Sequence, residues 1–308
     1  MVLCFFILIL ATKVGAETGS AFNNYLLFDL FFPQTETTFE SQNSAVFNAT
    51  VGKIEKGNIE DNTMSLSLSP NIPIDTDGQQ SVRLLWQGKW HSIKREIETD
   101  FRSHSIGVSY LQQFSQETKF GLGPLLYYLD AKDIEKSSLG ADLAGFMLAK
   151  WNELQLSAKG SFYTRIDDDI LASVGDSTTR RLLLKLGVEN EVWEDHLLGF
   201  SLEGESGKLG TVALWRLVPG VMYKYDHQQN LWYLGLQYYL CFTEKNIADL
   251  NQILPLHDQQ EENGTFLKAS LGTILNLGKN FILAPEMNLY YFDEINFLGS
   301  VSLSVPFD

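Results

Sequence analysis

The sequence is nearly without cysteine, which limits how the fold can be held together. It has 2 cysteines in 308 residues, Cys4 and Cys241. Cys4 lies in an N-terminal segment that we expect to be removed, so Cys241 is left without an intramolecular partner. No disulfide framework can therefore form.

Basic residues and long apolar runs are also scarce. The chain has 23 Lys and Arg against 38 Asp and Glu, a formal net charge of -15. Nucleic acid is excluded as an expected partner, because its binding needs a basic surface. After residue 16, no apolar stretch approaches the roughly 20 residues of a membrane helix. If the chain resides in a membrane, it must do so as a closed barrel, since only helices and barrels pair every backbone polar group in lipid.

Residues 1–16, "MVLCFFILILATKVGA", form a strongly apolar segment at the N-terminus. The run from Val2 to Ala11 is followed by small residues, which predicts a secretory signal peptide cleaved before Glu17. Its length is only about half that of a membrane-spanning helix. Cleavage would remove Lys13 and no acid, leaving 22 basic and 38 acidic residues and a formal charge of -16.

Alternation of apolar with small or polar residues is the dominant pattern of the rest of the chain. It is clearest in the closing "FLGSVSLSVPFD", where Phe297, Gly299, Val301, Leu303, Val305 and Phe307 share one face of an extended strand. Similar segments of about ten residues, the length of a tilted membrane strand, predict fourteen strands. We place them near residues 44–54, 63–69, 81–90, 103–112, 118–129, 138–149, 154–165, 181–192, 197–206, 211–225, 231–243, 265–277, 280–292 and 297–307.

The connections between these strands alternate between short and long. Residues 150–153, 193–196, 226–230 and 277–280 are tight polar turns, whereas residues 130–138, 166–179 and 243–263 form longer acidic loops. Short turns on one rim and long loops on the other are typical of an outer-membrane barrel, with the short turns in the periplasm. We therefore predict an all-β, up-and-down antiparallel barrel of 12 to 14 strands over residues 44–308. Twelve strands remain if one N-terminal hairpin lies outside the wall, and an even number puts both ends in the periplasm.

The two faces of this barrel carry the candidate functional residues. The short turns bring an aromatic girdle to the periplasmic rim, formed by Trp151, Trp193, Tyr225 and Trp232. If the apolar faces meet lipid, the opposite faces direct charges of both signs into the lumen, which can hold water or close by pairing. These predicted lumen residues are Arg83, Lys89, Lys159, Arg165, Lys185, Glu189, Glu203, Glu205, Lys224, Lys268 and Glu286.

The segment 17–43 stands before the first strand. Its stretch 23–34, "NNYLLFDLFFPQ", is apolar on all sides. Periodicity alone does not distinguish a short buried helix from an extra strand in so short a run. We expect a periplasmic or pore-plugging segment here.

Catalytic and metal-binding patterns are weak. A strand directs Ser103 and Ser105 to the face opposite His104, His91 is followed directly by Ser92, and the other histidines lie in turns or loops. No serine therefore lies in register with a histidine, and we expect no catalysis. The aspartates 167–169 and 176 lack the spacing of a calcium loop, so we expect a solvated acidic loop and neither cofactor nor metal.

The closing strand resembles the C-terminal assembly signal of outer-membrane barrels. Phe307 matches the terminal aromatic residue, and Val301, Leu303 and Val305 match the alternate positions, although Asp308 follows the aromatic. This resemblance implies the barrel assembly machinery as a partner, with outer-membrane lipid and lipopolysaccharide around the wall.

The layout of most of the chain is similar to that of solitary outer-membrane autotransporter-like barrels, which lack a secreted passenger. About 27 residues between the predicted signal and the first strand leave no room for a passenger. Barrels of this type usually have 12 strands. We expect an outer-membrane protein of a Gram-negative bacterium that acts as a narrow pore or a structural surface protein. The alternatives are a lipid-modifying barrel enzyme of lipase or deacylase type and a soluble secreted β protein.

Overall fold

Fourteen strands close into a single barrel in the computed structural model. The structure describes residues 18–33, 44–94, 98–115, 118–151, 154–172, 179–210, 212–227, 230–244, 254, 263–278 and 281–306. The strands are β1 (Ser44–Lys56), β2 (Ile59–Pro73), β3 (Gln80–Lys94), β4 (Glu98–Gln113), β5 (Lys119–Ala131), β6 (Lys136–Trp151), β7 (Leu154–Asp168), β8 (Thr179–Trp193), β9 (His196–Leu209), β10 (Val212–His227), β11 (Asn230–Glu244), β12 (Asn263–Asn276), β13 (Ile282–Tyr291) and β14 (Ile295–Pro306). The helices are α1 (Thr18–Phe31), a 3-10 turn (Lys132–Ile134) and α2 (Asp169–Ala172).

Each strand pairs antiparallel with its neighbours in the chain, and the last pairs with the first. Strand β1 meets β14 from Ser44 opposite Pro306 to Lys53 opposite Phe297, which leaves no open edge. The predicted antiparallel up-and-down barrel is confirmed, and its strand number is fourteen rather than twelve. Closure pairs the backbone groups that an open sheet edge would expose to lipid.

Thirteen of the observed strands are longer than the sequence pattern predicted, and β13 is shorter. Strand β2 covers Ile59–Pro73, where alternation indicated only 63–69, so the stretch between the predicted strands 63–69 and 81–90 is reduced to a connection of residues 74–79. Pro70 and Pro73 made this region look like a loop, because proline cannot donate to a ladder. Pro73 is the last residue of its strand, a position that tolerates proline.

The barrel has two different rims. We call the rim with the strand ends Ser44 and Pro306 the terminal rim; it also has the turns between β6 and β7, β8 and β9, and β10 and β11. The opposite rim, here the loop rim, bears the long connections 169–178 and 245–262. It also has tight hairpins, of which the first has Gly57 at φ 60°. Glycine adopts this left-handed conformation without strain.

The outer surface is apolar, as a lipid-facing wall must be. Large exposed side chains alternate along the strands and include Leu84, Trp86, Ile106, Val108, Leu122, Leu126, Leu143, Leu182, Leu184, Leu202, Leu234 and Val301. Their neighbours in sequence point into the barrel, because strand side chains alternate. The apolar face of the closing strand therefore meets lipid.

Helix α1 lies inside the barrel, and we call α1 with Phe32 and Pro33 the plug. Its residues 21–33 are all buried. A helix that is apolar all round needs partners on every side, and the lumen supplies them, with β11 and β12 packed closest along one side. Among the described residues, no helix has the length and apolarity to span a membrane.

Candidate functional site

The first half of the plug is held by aromatic packing and two amide hydrogen bonds. Tyr25 contacts Phe266 and Tyr290 with ring centroids 5.9 and 5.3 Å apart, and Phe22 contacts Phe292 at 5.6 Å. Asn24 Nδ2 donates to the backbone oxygens of Trp215 and Phe242 at 3.4 and 3.3 Å. This half of the plug therefore rests against β10 to β13 near the loop rim.

The second half of the plug ends on the opposite wall, where its carbonyl oxygens meet side-chain donors. The four contacts are Lys89 Nζ to Asp29 O at 3.4 Å, Tyr127 Oη to Leu30 O at 2.7 Å, Arg165 Nη2 to Phe31 O at 2.9 Å and Arg181 Nη1 to Pro33 O at 2.8 Å. The last carbonyls of a helix have no partner within the helix and carry partial negative charge. Strands β3, β5, β7 and β8 thus form a docking site for a helix C-terminus, and the plug crosses the bore.

Asp29 is the one acidic side chain of the plug, and it is buried in a charged cluster. Lys89 Nζ lies 2.6 Å from Asp29 Oδ2, and His91 Nε2 lies 3.6 Å from the same oxygen. The other ring nitrogen, His91 Nδ1, is 3.0 Å from the carboxylate of Asp61 and 3.1 Å from Thr63 Oγ1. The imidazole therefore bridges a plug carboxylate and a wall carboxylate.

The ionisation of Asp29 depends on this surrounding charge. Burial raises the pKa of Asp29, but the opposing charges of Lys89 and His91 outweigh it, and the net pKa falls below the ordinary 3.8. Asp29, Asp61 and His91 also offer ligand atoms within 4.8 Å of one another. The Lys89 ammonium already pairs with Asp29, which favours an ion-pair cluster over a metal site.

A second buried cluster surrounds Glu205 on the lumen wall. Glu205 pairs with Arg216 and, at 3.5 Å, with Arg181, which also lies 3.3 Å from Asp142. The guanidinium of Arg216 stands over the ring of Phe28 with 4.4 Å to the centroid, so this cluster too touches the plug.

The lumen beyond the plug, toward the terminal rim, is polar and contains open space. A cavity of about 190 Å³ lies against Tyr25, Asp29 and Lys89, and a second of about 360 Å³ is lined by Gln155, Lys185 and Glu189 among others. Lys185 pairs with Glu203 at 3.4 Å, and Lys224 pairs with Glu189. This half of the bore can hold water, whereas the plug fills the half near the loop rim.

All eleven predicted lumen residues lie on inward strand faces. The plug contacts Lys89 and Arg165, and Glu205 lies in the cluster beside it. The other predicted residues on these inward faces are Arg83, Lys159, Lys185, Glu189, Glu203, Lys224, Lys268 and Glu286. Glu286 accepts from Tyr233 and, at 2.6 Å, from Asn288 Nδ2.

Sequence reasoning missed several residues that hold the plug, namely Asp29, Asp61, His91, Tyr127, Asp142, Arg181 and Arg216. Arg181 and Arg216 share the inward register of the predicted lumen residues on their strands, Lys185 and Lys224. That register could have identified both arginines. The contacts of Asp29 had no sequence signal, because Lys89 is 60 residues away.

The predicted girdle residues lie at the terminal rim. Trp151, Trp193 and Trp232 are exposed there, and Tyr225 is half-buried beneath stacked imidazoles. His196 stacks on Tyr225 with 4.8 Å between centroids, and His227 stacks at 5.6 Å. Of the predicted assembly signal, Val301, Leu303 and Val305 face outward, and Phe307 lies outside the described residues.

The serines and the histidine of the weak catalytic pattern point to opposite faces of β4. His104 faces outward beside Trp90, whereas Ser103 and Ser105 are buried on the inner face. Thr63 and Asp61 both approach the same nitrogen of His91, so this group does not form the relay of a hydrolase. Asp167 is exposed, and Asp176 lies outside the described residues.

Comparison with solved structures agrees with this fold. The toluene transporter TodX of P. putida is 10% identical, with a TM-score of 0.50 over 86% of this chain and 89% of that one. The deltaS2 mutant of TodX, described as a monoaromatic hydrocarbon channel, gives a TM-score of 0.55 at 10% identity over the same shares. CdiB from Escherichia coli is 9% identical, with a TM-score of 0.50 over 87% of this chain and 64% of that one.

No family model and no curated protein sequence matches the chain. The structural likeness at such low identity defines a class, the outer-membrane β-barrels, and goes no further. This barrel shares with them its closed antiparallel fold, and it has an apolar outer face and a polar bore.

Proposed function

We propose that this protein is a gated outer-membrane channel in which the plug closes the bore and must shift before a solute passes. The observation that carries the proposal is that α1 crosses a polar lumen and is held there by hydrogen bonds and ion pairs to wall side chains. Such contacts can break without unfolding the wall, because the strands pair with one another and not with the plug.

The lining favours polar solutes. TodX is described as a hydrocarbon channel, but the open half of this lumen is lined by charged and polar groups such as Lys185, Glu189 and Gln237. A hydrocarbon gains little by leaving water for such a lining. We therefore propose a water-filled pathway for hydrophilic solutes.

The setting of the channel is part of the same proposal. We place it in the outer membrane of a Gram-negative bacterium after removal of residues 1–16, with lipid and lipopolysaccharide around it and the assembly machinery as its insertion partner. A relation to passenger-free autotransporter-like barrels remains a prediction from layout. We also propose no catalysis, since the His91 cluster faces the plug and not the lipid.

Opening should depend on the ion pair between Lys89 and Asp29. Lys89→Met removes the ammonium and leaves a buried carboxylate without it, a change that weakens docking by up to about 3 kcal/mol. In planar lipid bilayers, we expect the variant to open severalfold more often than the wild-type channel.

Lys185→Met is the matched control, because Lys185 is also a lumen lysine but pairs with Glu203 away from the plug. Equal opening of the two variants would mean that the plug is not the gate. A folded, membrane-inserted barrel that conducts in none of the three forms would rule out the channel.

A further inference from the structure

The docking site of the plug has the hydrogen-bond donors of an oxyanion-binding site, and the carbonyl oxygens of the plug occupy it. Consecutive carbonyl oxygens of residues 29–31, and then Pro33, accept from an ammonium, a phenol and two guanidinium groups. Three of the four donors carry full positive charge, whereas a carbonyl offers only partial negative charge. A carboxylate or phosphate would pair more strongly with such donors than a carbonyl does.

The wall charges that remain when the plug moves away also favour binding of an anion. Lys89 would lose Asp29 if the plug moved, while Arg181 and Arg216 would keep Asp142 and Glu205. On the inward strand faces between the rims, basic side chains outnumber acidic ones. The basic residues are Arg83, Lys89, Lys159, Arg165, Arg181, Lys185, Arg216, Lys224 and Lys268, and the acidic residues are Asp61, Asp142, Glu189, Glu203, Glu205 and Glu286.

This basic lumen contrasts with the chain as a whole, whose formal charge is -15. Acidic residues are concentrated elsewhere, for example in the connection 243–263. A bore whose lining carries a net charge of one sign raises the local concentration of the opposite ion. The interior is thus suited to anions although the protein is strongly acidic.

We propose that Lys89, Arg165 and Arg181 bind a compact oxyanion, a carboxylate or phosphate solute, in the place of the plug carbonyls, and that this competition releases the plug. The inference rests on the proposed channel and names its solute class. The plug then acts as an internal competitor for the solute site.

Cys241 provides a built-in reporter for plug release. It is fully buried and pairs across the sheet with Gly264, over which Ala21 of the plug lies. In a Cys4→Ser background, Cys241 is the only thiol. Its rate of modification by an uncharged maleimide, in the detergent-solubilised full chain, reports how often the plug leaves this wall.

The experiment compares pyrophosphate and succinate as probes, with sodium chloride adjusted to constant ionic strength. We expect each probe to bind by calorimetry and to raise the labelling rate of Cys241 severalfold. The double variant Arg165→Gln with Arg181→Gln should label faster without a probe, bind neither probe and no longer respond. Arg180→Gln is the matched control, since Arg180 is exposed on the outer face of the same strand, and it should behave as wild type.

Tyr127→Phe separates loosening of the plug from anion binding, because it removes a neutral donor to Leu30. It should raise the basal labelling rate and keep the response to both probes. It also keeps the inference testable if the double variant does not fold. The inference would be overturned if calorimetry showed no heat of binding or if the double variant still bound the probes. It would also be overturned if neither probe changed the labelling rate of Cys241. Response to pyrophosphate alone would restrict the site to phosphates, and response to succinate alone to carboxylates.

Failure of this inference is distinguishable from failure of the channel. Conductance that responds to Lys89→Met without oxyanion binding would overturn the inference and leave the channel. Oxyanion binding and plug release in a barrel that never conducts would overturn the proposed channel and leave the oxyanion site.

Discussion

At the scale of single residues, Asp29 connects the plug to the wall by charged contacts. It is 6% exposed, and its carboxylate contacts Lys89 and His91 on one strand. A buried charge is tolerated only when it is paired. The ionisation state of this carboxylate therefore affects how strongly the helix stays docked.

Acid should release the plug through Asp29. The pKa of Asp29 is lower in the docked state than the ordinary 3.8, so the docked state binds fewer protons. Its stabilising contribution is present above 3.8 and is lost as pH falls through the lowered value. We expect Cys241 labelling by dithiodipyridine, which reacts with thiols in acid, to rise steeply below about pH 4.

Asp29→Asn is the control for this pH effect, because other carboxylates of the wall also take up protons in acid. The variant should label faster at neutral pH and show a much weaker rise in acid. An unchanged acid response in Asp29→Asn would assign the effect to a carboxylate of the wall.

At the scale of elements, the plug fits the wall so closely that one strand needs glycine. A Cβ atom at Gly264 would lie 2.8 Å from Ala21 Cβ and closer still to the plug backbone. Side-chain atoms do not approach to this distance, and backbone on one side gives little room to adjust. β12 and α1 thus exclude any larger residue at this position.

Gly264→Val should expel the first half of the plug without opening the barrel. Valine suits a strand, so the wall should form while α1 is displaced, and Cys241 labelling should rise by more than about tenfold. Gly204→Val is the matched control, since the outward Cβ at Gly204 would meet nothing within 4 Å. Slow labelling in Gly264→Val would show that the plug does not cover Cys241.

The elements differed in how far sequence could predict them. Alternation identified all fourteen strands because each strand has one face toward an apolar environment and the other toward a polar one, which leaves a period of two in the residues. Strand ends were less predictable, since β2 extends through "SPNIP" by backbone pairing that its side chains do not reveal. The plug shows no hydrophobic periodicity in its sequence because it is buried on every side.

The contacts of the plug were beyond any local pattern. Asn24 meets Phe242 across 218 residues of sequence, and Arg181 meets Pro33 across 148. Only the closed register of the barrel brings these residues together. The inward orientation of the charged side chains was predictable, but which of them contact the plug was not.

At the scale of the whole molecule, barrel closure is what makes the lumen and the plug site exist. The seam between β1 and β14 joins the two ends of the wall through an unbroken antiparallel register. In a closed barrel, every strand is paired on both sides, and unfolding must break the sheet as a unit. Outer-membrane localisation and closure can therefore be tested together by the electrophoretic mobility of unboiled protein.

The full chain, expressed with residues 1–16 and recovered from outer membranes, should migrate differently on a denaturing gel before and after boiling. Gly52→Val should abolish this shift, because a Cβ there would lie 2.8 Å from Leu298 Cα and 2.6 Å from Phe297 O across the seam. Gly299→Val is the matched control, as its Cβ would face outward on the same seam with its nearest neighbour at 3.9 Å. Recovery of wild-type protein in the soluble fraction, with one mobility, would favour a soluble β protein over the membrane barrel. A shift that persists in Gly52→Val would show that the barrel closes elsewhere than between β1 and β14.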